Sequence, residues 1–365
     1  MKRYFIILLS LFLLSNCHSP APVQSELQNK ELPKVKNIIF MIGDGMGLTQ
    51  IYAGMTAKHG HLNLERCKHI GLVKTYSASS YITDSAAGAT AYATGKKTYN
   101  AAIGVDADTI PQKSILKIAQ ENGLSTGLIA TCTLTDATPA CFVAHQPDRK
   151  MHEEIALDYV SSNVDVLIGG GNQYFTERED GQNLVEKFAE QGYQTPSDVE
   201  EIKKIHEGKI AAFLSPKDLP SKKSGRGNDL AEGALKAIEL LNKNDKGFFL
   251  MVEASQIDDG GHFNDAEYIK QEMVDFDETI GKVLDFAEQD GETLVVITAD
   301  HETGGFSIID GDLKEGRIEG AFSTKGHSSV MVPAFAFGPG AEEFMGIYEN
   351  TSIFNKFLAA FNFSL

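Results

Sequence analysis

Four stretches of this sequence place a carboxylate just beyond an apolar run, and two of them add a histidine. The run Asn37–Ile42 ends in Gly43-Asp44-Gly45-Met46-Gly47, and Ser125–Thr131 is followed by Asp136-Ala137-Thr138-Pro139. Glu253 closes the run Gly247–Val252, with Asp258 five residues on and His262 four beyond that. Thr293–Thr298 leads into Ala299-Asp300-His301-Glu302-Thr303. One aspartate after a strand is ordinarily a helix N-cap. Four such ends, two with imidazole, fit cation binding better than capping. Mixed carboxylate and imidazole sets suit zinc, and a carboxylate with a hydroxyl suits magnesium. Asp258 and His262 share a face if one helical turn joins them. Gly260 and Gly261 weaken a helix there, so a tight loop would serve equally well. Asp300 and His301 can both turn toward one ion from a loop.

A nucleophile is offered by Thr83-Asp84-Ser85-Ala86-Ala87-Gly88, the start of an Ala-rich stretch that reads as a helix from near Ser85 to Gly95. A serine at a helix start sits in positive potential beside free N–H groups. The plainer alternative is that Ser85 or Asp84 is merely the cap. A metal at the serine oxygen would replace the general base of a Ser–His pair. No Gly-x-Ser-x-Gly turn surrounds Ser85, which argues against an esterase triad. Gly43–Gly47 lacks the full dinucleotide-binding spacing, and Gly95-Lys96-Lys97-Thr98 lacks the first glycine of a phosphate-binding loop.

These residues need a scaffold that brings strand ends together. The apolar runs, with Val164–Ile168 and Val330–Phe337 added, are mostly continuous rather than alternating, as in strands buried on both faces of a parallel sheet. Helical patterns lie between them at Ser114–Gln120, Leu230–Leu241 and Tyr268–Gln289. The alternation predicts a three-layer α/β/α sandwich with a mainly parallel sheet. In such sheets the site gathers beyond the carboxyl ends of the strands.

The bounds agree with a soluble α/β protein: 365 residues, 42% hydrophobic and 23% charged. The net charge of -17 argues against nucleic acid or anionic lipid as a partner. Lys2 and Arg3 precede the apolar run Phe5–Leu14, a secretory signal too short to span a membrane. The run ends in Leu14-Ser15-Asn16-Cys17, similar to a bacterial lipobox, although Asn16 departs from the small residue usual there. We therefore expect export, with lipidated Cys17 as a membrane tether or, alternatively, an ordinary cleaved signal. Residues 1–17 read as the signal, 18–34 as a flexible tether and 35–365 as a single domain. Cys67, Cys132 and Cys141 then remain, and Cys132 with Cys141 leaves a bridge or free thiols open.

From about Val35 onward the chain closely resembles the bacterial alkaline phosphatases. The shared motifs are IIFMIGDGMG, TDSAAGATAYATG, DATPACFVAHQPDR, VEASQIDDGGH, TADHETGGF and GHSSVMVPAFAFGPG. The resemblance implies two zinc ions and one magnesium. It puts one zinc on Asp258, His262 and His327, and the other on Asp44, Asp300 and His301. It puts magnesium on Asp44, Thr138 and Glu253, with Asp136 contacting the magnesium's waters. It makes Ser85 the nucleophile, phosphorylated in turnover, and Arg149 the clamp on two phosphate oxygens. The implied activity is hydrolysis of small phosphate monoesters at alkaline pH. Three divalent ions and Arg149 would make the pocket cationic although the protein is acidic.

His327 precedes the last apolar run instead of following it. If Val330–Phe337 runs antiparallel, its start lies at the same sheet edge, so one reversed strand is predicted. Asp259 departs from the family, where Lys, His or Trp often follows the zinc-binding aspartate, and predicts weaker phosphate binding with faster release. The family is commonly dimeric, which implies a homodimer. Two other readings compete. A phosphodiesterase or nucleotide pyrophosphatase of the same superfamily would keep two zincs but not the magnesium site or clamp. A non-catalytic phosphate-binding lipoprotein would need no nucleophile. A sulfatase is disfavoured because its Cys/Ser-x-Pro-x-Arg motif is missing around Ser85.

Overall fold

The computed structural model describes residues 35–364; the signal, Cys17 and the tether lie outside them. In chain order the strands are β1 (Asn37–Gly43), β2 (His69–Lys74), β3 (Ser125–Thr133), β4 (Val166–Gly170), β5 (Tyr193–Gln194), β6 (Lys209–Phe213) and β7 (Phe248–Ala254). There follow β8 (Thr293–Thr298), β9 (Glu302–Thr303), β10 (Phe306–Asp312), β11 (Arg317–Phe322), β12 (His327–Ser328), β13 (Val332–Phe337) and β14 (Gly346–Glu349). Ten of them form one sheet in the order β14-β2-β13-β8-β1-β7-β3-β4-β6-β5. Helices pack on it, and every residue of β1, β7 and β8 is buried, which is why those runs are continuously apolar.

The predicted α/β/α sandwich with one reversed strand is what the chain forms. β13 pairs antiparallel with both β8 and β2, while the other pairings in this sheet are parallel. β13 begins at Val332, two residues later than expected, because Val330 and Met331 are exposed in the irregular segment before it. His327 precedes β13, as the sequence analysis has it. It lies on β12, which pairs with β9 in the register His327↔Thr303 and Ser328↔Glu302.

The runs missed from sequence are short or at margins: β2, β5, β6 and β14, and the β10–β11 hairpin. β2, β5, β10, β11 and β14 carry too few buried positions for a hydrophobic pattern to register, and β6, although buried at four of its five residues, is too short to stand out. Cys67, Cys132 and Cys141 are all buried free thiols, so the open choice at Cys132 and Cys141 resolves against a bridge.

The core also fixes the helix that begins at Ser85 to the sheet edge. Phe40 of β1 packs edge-on against Tyr92 at 5.4 Å and Phe357 at 5.1 Å. Tyr92 Oη then donates to the carbonyl of Ala299 at 2.6 Å, one residue before Asp300. A buried phenol needs such a partner. This one ties the helix Ser85–Thr94 to the loop that carries Asp300 and His301.

Candidate metal centre

The register of the central strands brings the carboxylates to one edge. Ile42 of β1 is paired with Glu253 of β7, and Ala130 of β3 flanks Glu253 on the other side. The Asp44 amide donates to Ala254 at 3.1 Å, so the chain leaving β1 stays beside β7. Asp258 and His262 lie on a helix, Ile257–Phe263, and not on a loop. The two glycines that weakened the helical reading serve packing: a Cβ at Gly260 would come within 2.7 Å of Ile269, and one at Gly261 within 2.7 Å of Thr303.

Asp258, His262 and His327 bring their ligand atoms within 4.8 Å of one another. His262 Nε2 is 3.0 Å from Asp258 Oδ2, and His327 Nε2 is 3.7 Å from Asp258 Oδ1. Both rings have Nδ1 against a carbonyl, His262 on Lys325 at 2.6 Å and His327 on Thr83 at 2.9 Å. A carbonyl only accepts, so Nδ1 carries the proton and Nε2 is aimed at a cation.

A second set gathers around His301. Its Nε2 lies 3.1 Å from Asp300 Oδ2, 3.4 Å from Asp44 Oδ1 and 3.2 Å from Ser85 Oγ. Asp44, Asp258 and His301 form a further group within 4.8 Å, so Asp258 reaches toward both sets. Asp44 Oδ1 and Asp300 Oδ2 are buried without a hydrogen-bond partner, and so is the Thr138 hydroxyl. Orphaned buried oxygens are costly unless a cation satisfies them. The donor types thus fit the implied ions: imidazole with carboxylate in two sets, and hydroxyl with carboxylate around Thr138, Glu253 and Asp44.

Electrostatics point the same way. Burial, then Asp300, Asp258 and Glu253, raises the Asp44 carboxyl well above the usual range. Burial, then Asp136, pushes Glu253 up to about 8. Crowded carboxylates of this kind hold protons that a divalent ion displaces. His262 is raised to about 9, chiefly by its hydrogen bond to Asp258. His327 is lowered to about 4 by burial and then by His301, whose ring stacks on it at 3.5 Å.

Ser85 begins its helix but does not cap it. The cap is Asp84, whose Oδ1 accepts from the Ala87 amide at 3.0 Å, and the Ser85 hydroxyl is left to face His301. Arg149 spans two carboxylates beside it: Nη2 is 2.8 Å from Asp136 Oδ1 and Nη1 is 3.4 Å from Asp84 Oδ2. Asp136 also accepts from the Ala137 amide at 2.6 Å, which turns its carboxylate toward the guanidinium.

The chain belongs to the alkaline phosphatase family. The family model for alkaline phosphatase matches residues 35–314. Alkaline phosphatase 4 of Bacillus subtilis is 35% identical over 90% of this chain and 75% of its own length. The alkaline phosphatase of Escherichia coli is 33% identical over 89% of this chain and 86% of its own. Among solved structures, alkaline phosphatase from the Antarctic bacterium TAB5 is 44% identical, with a TM-score of 0.87, over 92% of this chain and all of that one. A variant of the TAB5 enzyme, also 44% identical, has Mg bound in its M3 site. This chain is accordingly a metal-dependent enzyme that hydrolyses phosphate monoesters.

Two residues to which the sequence analysis gave no part in the chemistry, Asp84 (offered there only as a cap) and Thr303, shape the phosphatase site. Asp84 caps the helix, accepts from the Ala101 amide at 2.8 Å and steadies Arg149. Thr303 donates its hydroxyl proton to Asp258 and lies 3.2 Å from His301 Nδ1. Having one proton, Thr303 accepts from Nδ1, which leaves His301 Nε2 for a cation. Both residues stand inside quoted motifs, yet their roles depend on partners 45 and 65 residues away.

Proposed function

We propose that Ser85 is the nucleophile of monoester hydrolysis, with Arg149 as the phosphoryl clamp. The observation that carries this is the Ser85 hydroxyl 3.2 Å from His301 Nε2, beside the unpartnered oxygens of Asp44 and Asp300. Two zinc ions, on Asp258, His262 and His327 and on Asp44, Asp300 and His301, with magnesium on Asp44, Thr138 and Glu253, would acidify Ser85 and water and neutralise charge on the leaving oxygen. Asp136 holds Arg149 and stands ready to order the magnesium's waters.

In the first step Ser85 Oγ gives up its proton to solvent and bonds to phosphorus as the ester P–O bond breaks, and the departing alkoxide takes a proton from water. In the second, a water loses a proton to solvent as its oxygen bonds to phosphorus, the Oγ–P bond breaks, Ser85 Oγ takes a proton back from solvent and phosphate leaves. The helix start at Ser85 presents backbone N–H groups to the phosphoryl oxygens, and Arg149 binds two of them through its planar fork. A diester has one fewer charged oxygen for this clamp, so a diesterase reading is less well supported. Deprotonation of the nucleophile favours activity at alkaline pH.

The same reading extends to where the enzyme works. The signal-like residues 1–17 and the tether support export to the periplasm or, through a lipidated Cys17, anchoring to a membrane. Association as a homodimer rests on family habit. Metal analysis of the purified enzyme, with rates on an aryl phosphate and its diester, tests the central claim. Diester turnover faster than monoester turnover, or full activity without bound metal, defeats it.

A further inference from the structure

We propose that Glu302 is a positioning residue whose buried carboxylate seats His327 for metal binding. This rests on the reading that His327 completes a zinc site with Asp258 and His262. Glu302 and Ser328 belong to two of the motifs, TADHETGGF and GHSSVMV, and the reaction itself uses neither.

Four donors converge on this carboxylate, which is only 4% exposed. Oε1 accepts from Gln50 Nε2 at 2.8 Å and the Phe306 amide at 2.9 Å. Oε2 accepts from the Gly305 amide at 3.2 Å and from the Ser328 hydroxyl. The first three contacts shape the turn after His301 and lock it to the helix Leu48–Ala57. The fourth reaches across to the residue after His327. Gly47, last in the GDGMG motif, makes room, since a Cβ there would lie 2.5 Å from Glu302 Cγ.

Such a fastener is needed because His327 arrives on weak support. β12 is two residues long and pairs only with the two residues of β9. The segment around it is partly or fully exposed from Ser323 to Met331. Apart from that ladder and the Gly304 amide bonded to Gly326 beside it, the His327 ring has one hydrogen bond, to Thr83, and the His301 ring stacked on one face. A ligand must be held to a fraction of an ångström to bind well. The Ser328–Glu302 bond pins the neighbouring residue to the same turn that presents His301, so one carboxylate ties the His327 segment to that turn beside the short ladder.

The test is zinc affinity, measured on the full chain by chelator competition for wild type, Ser328→Ala, Ser328→Thr and Glu302→Gln. Residues that support metal ligands typically change affinity by ten- to a hundredfold when removed. We expect Ser328→Ala to lose about tenfold at one of the two zinc sites, and Ser328→Thr to retain wild-type affinity. Glu302→Gln combined with Ser328→Ala is expected to lose less than the product of the single effects, because both remove one contact. Thermal melting of the chelated proteins separates positioning from stability, since Ser328→Ala should melt within a few degrees of wild type. Unchanged zinc affinity in both Ser328→Ala and Glu302→Gln, or a loss confined to melting temperature, overturns the proposal. Wild-type protein that binds no zinc overturns the underlying site as well, which tells the two failures apart.

Discussion

The Ser85 hydroxyl lies 3.2 Å from Nε2 of His301, although 216 residues separate them. The contact places the helix-start serine against the loop beyond β8, where unpartnered carboxylate oxygens converge. Ser85→Ala is therefore expected to abolish the labelled phosphoenzyme trapped by acid quench. It should also lower kcat by at least about a thousandfold, as for other covalent nucleophiles. A labelled Ala variant sinks the assignment.

Arg149 is held between Asp84 and Asp136 before any substrate arrives. Replacing it with Ala removes two charge-assisted hydrogen bonds, each worth roughly 1.5–3 kcal/mol. We expect kcat/KM for an aryl phosphate to fall by at least about a hundredfold, with inhibition by phosphate weakened in parallel. Lys keeps the charge but not the fork and should recover only part of the loss. A kcat/KM equal to wild type in the Ala variant refutes the clamp.

Removing the metals should make stability fall with rising pH. Without a cation, Glu253 is raised from its ordinary 4.5 to about 8 by burial and then Asp136. The native carboxyl then holds its proton more tightly than the unfolded chain does. Its contribution is fully present below 4.5 and is lost as pH rises through about 8. Chelated protein should melt lower at pH 8 than at pH 6, and added magnesium should release protons on binding. Melting curves that are flat in pH after chelation would falsify this.

Asp259 is partly buried, and burial, then Asp258 and Asp218, raises it to about 7. Above that pH it adds negative charge beside the first ligand set. Asp259→Asn is expected to tighten phosphate inhibition severalfold at pH 9 and much less at pH 6. Equal inhibition constants for the variant and wild type at both values would remove Asp259 from the account of product affinity.

Much of this was legible in the residues alone. Continuous apolar runs announced buried parallel strands, since strands covered on both faces have no polar side to alternate. The carboxylates after β1, β7 and β8 were readable because the topology of such a sheet makes strand ends the active edge. Ser85, Arg149 and the ligand sets followed from motif resemblance, and the reversed β13 from the position of His327.

Tertiary structure decided what depends on contacts between distant segments. It made Asp84 the cap and freed Ser85 to face His301. It put Asp258 and His262 on a true helical turn, with Gly260 and Gly261 flattened against Ile269 and Thr303. It gave His327, which the sequence placed only ahead of β13, a short strand of its own, β12, where Glu302 and Ser328 meet. Sequence periodicity reports which face of an element is buried. It cannot report which hydroxyl or carboxylate completes a hydrogen bond across the fold, because that choice depends on where another segment has been packed.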